Sequence, residues 1–331
     1  MSTGPTQFLE APAGDSPSRE HSDRGALRHY AGDAEGAQRE YEEALRLDPA
    51  NATALNNLGF LFAQRGRHEE ALALCERSVE LDGTSAAART NLGNTLVATG
   101  DTERGLEHLA AAIELDADSV LAWDSLATVL LLTGDVEQAE HAWRRAAALA
   151  PLDASLLVSL GTAVAARQRL GEAAAILRRA VDLDPTEASG WSRLGIVLLL
   201  RSDLGSAEDA LRRALLLAPD DTGARRHLAT ALLARGRRDE AALELERVLS
   251  LDAAHDEARM DLGVLRLSCG DAAAALALLE AVEATERATF YRAGALGELG
   301  RDDEARELMR SVAEGGGSYA ARATAFLAET A

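Results

Sequence analysis

The 331 residues carry 54 acidic side chains against 34 basic ones, a formal charge of −20, and aromatics make up only 4%. So negative a chain is repelled at long range by nucleic-acid phosphates and by anionic membranes, so neither is an expected partner. Every one of the 34 basic residues is arginine, and a chain without lysine cannot build a Walker loop, a kinase active site or a pyridoxal Schiff base.

Residues 1–17 contain Pro5, Pro12 and Pro17 and few apolar side chains, which predicts a disordered N-terminal tail. The first twenty residues show no export signal and no later stretch suits a membrane span. The two cysteines, Cys75 and Cys269, stand too far apart for a disulfide framework, so a cytoplasmic protein is expected.

From residue 18 a unit of 34 residues recurs, near 18–51, 52–85, 86–119, 120–153, 154–187, 188–221 and 222–255, followed by a shortened 256–285 and a ninth unit to about 315. Numbered from residue 52, position 8 reads Gly59, Gly93, Ala127, Gly161, Gly195, Ala229 and Gly263, and position 20 reads Ala71, Gly105, Ala139, Ala173, Ala207, Ala241 and Ala275. Prolines recur at position 32 as Pro49, Pro151, Pro185 and Pro219. With this period and these small residues, the chain resembles the tetratricopeptide repeat family from about residue 18 to its end. The resemblance implies an all-α, right-handed α-solenoid of tandem helix-turn-helix repeats over 18–315.

Inside each unit, positions 4, 7, 8 and 11 give one apolar stripe on a first helix (A), as in Leu55, Leu58, Gly59 and Phe62. Positions 20, 24 and 27 do the same on a second helix (B), as in Ala139, Trp143 and Ala146. In the first unit His21 and Arg24 replace apolar residues, which predicts a poorly formed helix A. Glycine at position 15 ends helix A where a left-handed backbone angle is cheap. The fifth and sixth units carry Gln168 and Ser202 there, with glycine moved to Gly171 and Gly205, and a differently shaped turn is expected. Four residues missing before the ninth unit predict a tighter turn at 282–287. After Gly315, Gly316 and Gly317, the apolar face of Ala320, Ala323, Phe326 and Leu327 predicts a C-terminal capping helix over 316–331.

Chemistry-bearing constellations are scarce. No HExxH or CxxC occurs, His108 and His141 have only acidic neighbours to complete a site, and neither a metal, a cofactor nor a catalytic role is expected. The informative face of helix A is the one opposite the core, at positions 2, 6, 9 and 13. There Asn57 and Asn91, with Asn94 one turn on, can clasp the backbone amides of an extended peptide. They resemble the start of the asparagine ladder in the tetratricopeptide arm of O-linked N-acetylglucosaminyltransferase. Further along, Arg193, Arg226 and His227 gather positive charge, with Arg225 beside them. A guanidinium grips a carboxylate through two parallel bonds, so an acidic side chain or a free C-terminus is the expected ligand group. The cluster is similar to the carboxylate clamp of tetratricopeptide co-chaperones. Apolar residues on the same face, Leu121, Leu132, Ile196 and Leu200, would suit a ligand's hydrophobic side chains.

The function expected from these features is a non-catalytic scaffold or adaptor that binds a peptide or a partner helix in a concave groove. A self-associating assembly subunit and a substrate-recruiting subunit of a separately encoded enzyme are the alternatives, and the oligomeric state is open.

Overall fold

The computed structural model describes residues 16–329. The tail expected over 1–17 therefore lies outside the described residues except for its end, where Ser16 caps a helix that begins at Pro17. Among the described residues there are nineteen α-helices and no strand. They form two compact units, the first ending at Pro185 and the second starting at Thr186.

The first unit holds five helix pairs: α1 (Pro17–Tyr30) with α2 (Ala34–Leu47), α3 (Ala52–Gln64) with α4 (His68–Leu81), α5 (Ala86–Ala98) with α6 (Thr102–Leu115), α7 (Val120–Leu132) with α8 (Val136–Leu149), and α9 (Ala154–Ala166) with α10 (Leu170–Leu183). The second holds α11 (Ala188–Leu200) with α12 (Leu204–Leu217), α13 (Thr222–Ala234) with α14 (Arg238–Leu251), α15 (Asp256–Ser268) with α16 (Ala272–Glu280), α17 (Glu286–Glu298) with α18 (Asp302–Glu314), and a last helix, α19 (Ala320–Glu329).

Helix starts follow from capping chemistry. Asn51, Ser85, Asp101, Ser119, Asp221 and Thr285 each accept a bond from the backbone N–H three residues on, which satisfies a donor that the first turn leaves open. The small residues sit where the two helices of a pair cross. A Cβ placed on Gly93 would lie 2.8 Å from Leu109 Cγ and 2.9 Å from the Gly105 carbonyl oxygen, closer than packing allows.

Three local expectations change. The turns after α9 and α11 are not reshaped: Gln168 (φ 61°) and Ser202 (φ 60°) take the left-handed angle that Gly66, Gly100 and Gly134 take elsewhere. Their turn bonds match as well, since Arg169 N donates to Val164 O as Arg67 N does to Phe62 O. Gly171 and Gly205 have open space around them in the first turns of α10 and α12. Helix α1 is fully formed because Glu40 of α2 receives the polar face that replaced apolar residues. His21 Nδ1 lies 2.7 Å and Arg24 Nε 3.3 Å from Glu40 Oε2. Finally, the shortening comes out of a helix rather than a loop: α16 spans nine residues where α14 spans fourteen, while the connection that follows, 281–285, is one residue longer than 252–255. Arginines add bonds to the carbonyls at this helix end, with Arg259 donating to Ala281 O at 3.1 Å and Arg292 donating to Leu279 O at 2.6 Å.

Two buried carboxylates tie successive pairs together, a feature not anticipated above. Glu140 on α8 is 3% exposed and meets Arg144 at 2.7 Å, Arg167 at 2.9 Å and Arg169 at 2.7 Å, the last two on the next pair. Glu208 on α12 is 1% exposed and holds Arg212, Arg235 and Arg237 in the same way. Burial alone would raise the Glu208 carboxyl, but the Arg237 hydrogen bond and the Arg212 and Arg235 charges outweigh it and hold it low.

At the end of the second unit, Ala323 is fully buried and Phe326 and Leu327 pack with Met309 and Val312 of α18. The Glu286 carboxylate of α17 accepts from Ser318 N at 3.1 Å and Tyr319 N at 2.8 Å.

Candidate binding surfaces

In the second unit, α11, α13, α15 and α17 are successive A helices, and their faces opposite the core carry the charged residues singled out by the sequence. Arg193 on α11 is exposed and makes no ion pair among the described residues. Arg226 and His227 on α13 are half-buried. His227 is held below its ordinary value first by burial and then by the nearby Arg226 and Arg193 charges, only partly offset by Asp221 and Asp261. Arg193, Arg226 and His227 are thus brought within electrostatic range of one another.

Arg225 is not part of this group. Its guanidinium donates to Glu244 of α14 at 2.6 Å and to the Pro219 carbonyl at 2.6 Å, on the opposite flank of α13.

Two further residues belong to the surface. Asp261 on α15 accepts from Arg226 Nη1 at 3.2 Å through one oxygen and from Arg287 Nη2 at 3.1 Å through the other. Arg287 on α17 was missed because the shortened repeat obscures its register, although it falls at position 2 of its unit, which belongs to the ligand-facing stripe. Beside Asp261 opens a pocket of about 230 Å³ lined by Thr230, Leu233, Arg238, Val264 and Arg287 among others.

In the first unit the asparagines stand differently from the expectation. Asn57 is 0% exposed and Asn91 3% exposed, so neither presents its amide to solvent. Asn91 donates to Asn56 at 2.8 Å, and Asn56 donates to Asn57 at 3.2 Å, a chain of amides lying between α3 and α5. Position 6 turns inward here, where the neighbouring A helices α3 and α5 approach closely enough for their amides to bond in a chain. Asn94 remains half-buried, donates to Ser125 of α7 at 2.9 Å, and lines a small pocket with Phe60, Ala63, His68 and Ala98. Among the proposed apolar contacts, Leu121 is buried at 8% while Leu132 and Leu200 are open at 74% and 60%. No group of three or more His, Cys, Asp or Glu among the described residues is placed to hold a metal ion.

Two tetratricopeptide repeat profiles match the chain, one over residues 23–86 and 125–188 and the other over 62–130 and 232–299, which together take in most of it. The chain belongs to the tetratricopeptide repeat family. No curated protein sequence matches it. Among solved structures it is similar to the APC/C hetero-tetramer Cut9-Hcn1 (TM-score 0.60, 16% identity, 86% of this chain and 55% of that one). It is also similar to pilF of Pseudomonas aeruginosa (TM-score 0.56, 18% identity, 62% and 93%) and to MamA (TM-score 0.43, 26% identity, 49% and 94%). The first two likenesses establish the solenoid fold class. Tetratricopeptide proteins are in general non-catalytic and serve protein–protein interaction, usually with protein or peptide partners. No helix among the described residues is long and apolar enough to cross a membrane.

Proposed function

We propose that this protein is a non-catalytic adaptor whose second unit holds an acidic group of a peptide or partner helix on the outward faces of its A helices. The observation that carries this reading is that Arg193, Arg226 and Arg287 stand on α11, α13 and α17, three of four successive A helices, in a chain with net charge −20. Arginines so placed supply several N–H donors to a carboxylate, while Leu233 and Val264 offer apolar contact at the pocket beside them.

His227 contributes as a hydrogen-bonding neighbour that gains charge when a carboxylate arrives. In the first unit Asn94 is the residue able to reach a ligand backbone, with Asn91 at the pocket wall and Asn57 acting from beneath through Asn56. Such an adaptor would work in the reducing cytoplasm, which agrees with the free thiols of Cys75 and Cys269.

The test is fluorescence anisotropy with a labelled octapeptide bearing two glutamates and a free C-terminus, against its glutamine counterpart. Tighter binding of the glutamate peptide, lost in the double variant Arg193→Ala and Arg226→Ala and weakened by salt, is the expected result. Equal binding of the two peptides, or an unchanged affinity in a folded double variant, removes the acidic-ligand reading.

A further inference from the structure

The surface of the second unit already contains a carboxylate where the ligand's would go. Asp261 uses one oxygen for Arg226 of the preceding A helix and the other for Arg287 of the following one, at 3.2 and 3.1 Å. Each contact is a single bond, whereas a guanidinium has five N–H donors, so both arginines keep donors to spare. The side chains remain reachable, at 29% exposure for Arg226 and 47% for Arg287, while Asp261 itself is at 19%. Nearby, Arg193 and Arg238 form no ion pair among the described residues. One internal carboxylate therefore faces a surplus of cations, next to a pocket roomy enough for an added side chain.

We infer that Asp261 is an internal stand-in for the ligand's acidic group: it keeps Arg226 and Arg287 aligned across α13, α15 and α17 when the site is empty, and it competes with the incoming carboxylate. The inference rests on the acidic-ligand reading above. Its consequence is a specificity. A ligand with one carboxylate must contend with Asp261 for shared arginines, whereas one with two adjacent carboxylates engages Arg193 or Arg238 as well and gains more than the competition costs. The partner class it selects is an extended peptide with paired acidic residues, rather than one with a solitary acid.

The experiment compares two fluorescein-labelled octapeptides, with one glutamate and with two, against the parent protein, Asp261→Asn and, as a control, Arg247→Ala on the exposed face of α14. Removing the competing charge should tighten the single-glutamate peptide by on the order of fivefold, as for a part-buried charge pair, and narrow the gap between the two peptides. Arg247→Ala should behave as the parent. A thermal melt precedes the titration. Should Asp261→Asn melt early, Asp261→Ser, which keeps an oxygen for Arg226 without the charge, carries the same expectation. If the parent binds the glutamate peptides but neither folded Asp261 variant binds more tightly, the stand-in role is overturned and the acidic-ligand reading stands. If neither parent nor variant binds them, both fall together.

Discussion

Replacing Glu208 by Ala tests how the repeats are held to one another. The carboxylate is 1% exposed and bonds Arg212 on its own helix and Arg235 and Arg237 on the next pair, the last at 2.5 Å. A hydrogen bond to a charged group contributes about 1.5–3 kcal/mol when its partners are shielded from water. The arginines, 34–48% exposed, regain water when the carboxylate is removed, and Arg237 keeps Glu240. The loss should therefore fall short of the roughly 3–5 kcal/mol of breaking a wholly buried pair, at about 2–3 kcal/mol. For a unit of this size that corresponds to a melting temperature lower by about 5–10 °C. Differential scanning calorimetry at pH 7 reads it directly. The carboxyl is held low in the folded protein, so its contribution is complete above the ordinary carboxylate value and disappears as pH falls through the lowered one. The gap between parent and variant should thus persist from pH 8 to 5 and close only in stronger acid. A shift below about 1 °C at pH 7 would refute the claim that this network fastens the second unit, since that is the behaviour of exposed ion pairs.

Four other outcomes follow from the same geometry. Gln168→Gly should raise stability by about 0.5–1 kcal/mol in urea unfolding, because glycine takes the φ of 61° without strain; no gain would mean that angle carries no cost here. Gly195→Ala should lower it by roughly 1–3 kcal/mol, since the new Cβ would sit 2.5 Å from Leu211 Cγ. Burial pushes the Cys75 thiol up to about 12, so a thiol reagent should label the exposed Cys269 at pH 8 and leave Cys75 unmodified until the protein is unfolded. The fold holds His227 below its unfolded value, so its contribution is intact above that value and declines as pH drops through the lowered one. An acidic peptide bound there should reverse the effect and draw in a proton, seen as a buffer-dependent binding enthalpy that His227→Gln abolishes.

Much of this molecule was legible in one dimension because the repeat confines each choice to a few residues. The period of 34, the small residues at the crossings and the capping side chains are local requirements of a helical pair, and they fixed the fold class without reference to anything distant. The face opposite the core could likewise be picked out, and with it Arg193, Arg226 and His227. What a single period cannot express is the approach of one pair to the next. That distance turned Asn57 and Asn91 inward to bond through Asn56, and brought Arg226 and Arg287 to Asp261. It also formed the Glu140 and Glu208 clusters, whose partners recur two periods apart yet become meaningful only when α8 meets the turn before α10 and α12 the turn before α14. Helix identity depends on neighbours three and four residues away, while the direction a polar side chain takes depends on whichever partner the folded backbone carries to within about 3 Å of it.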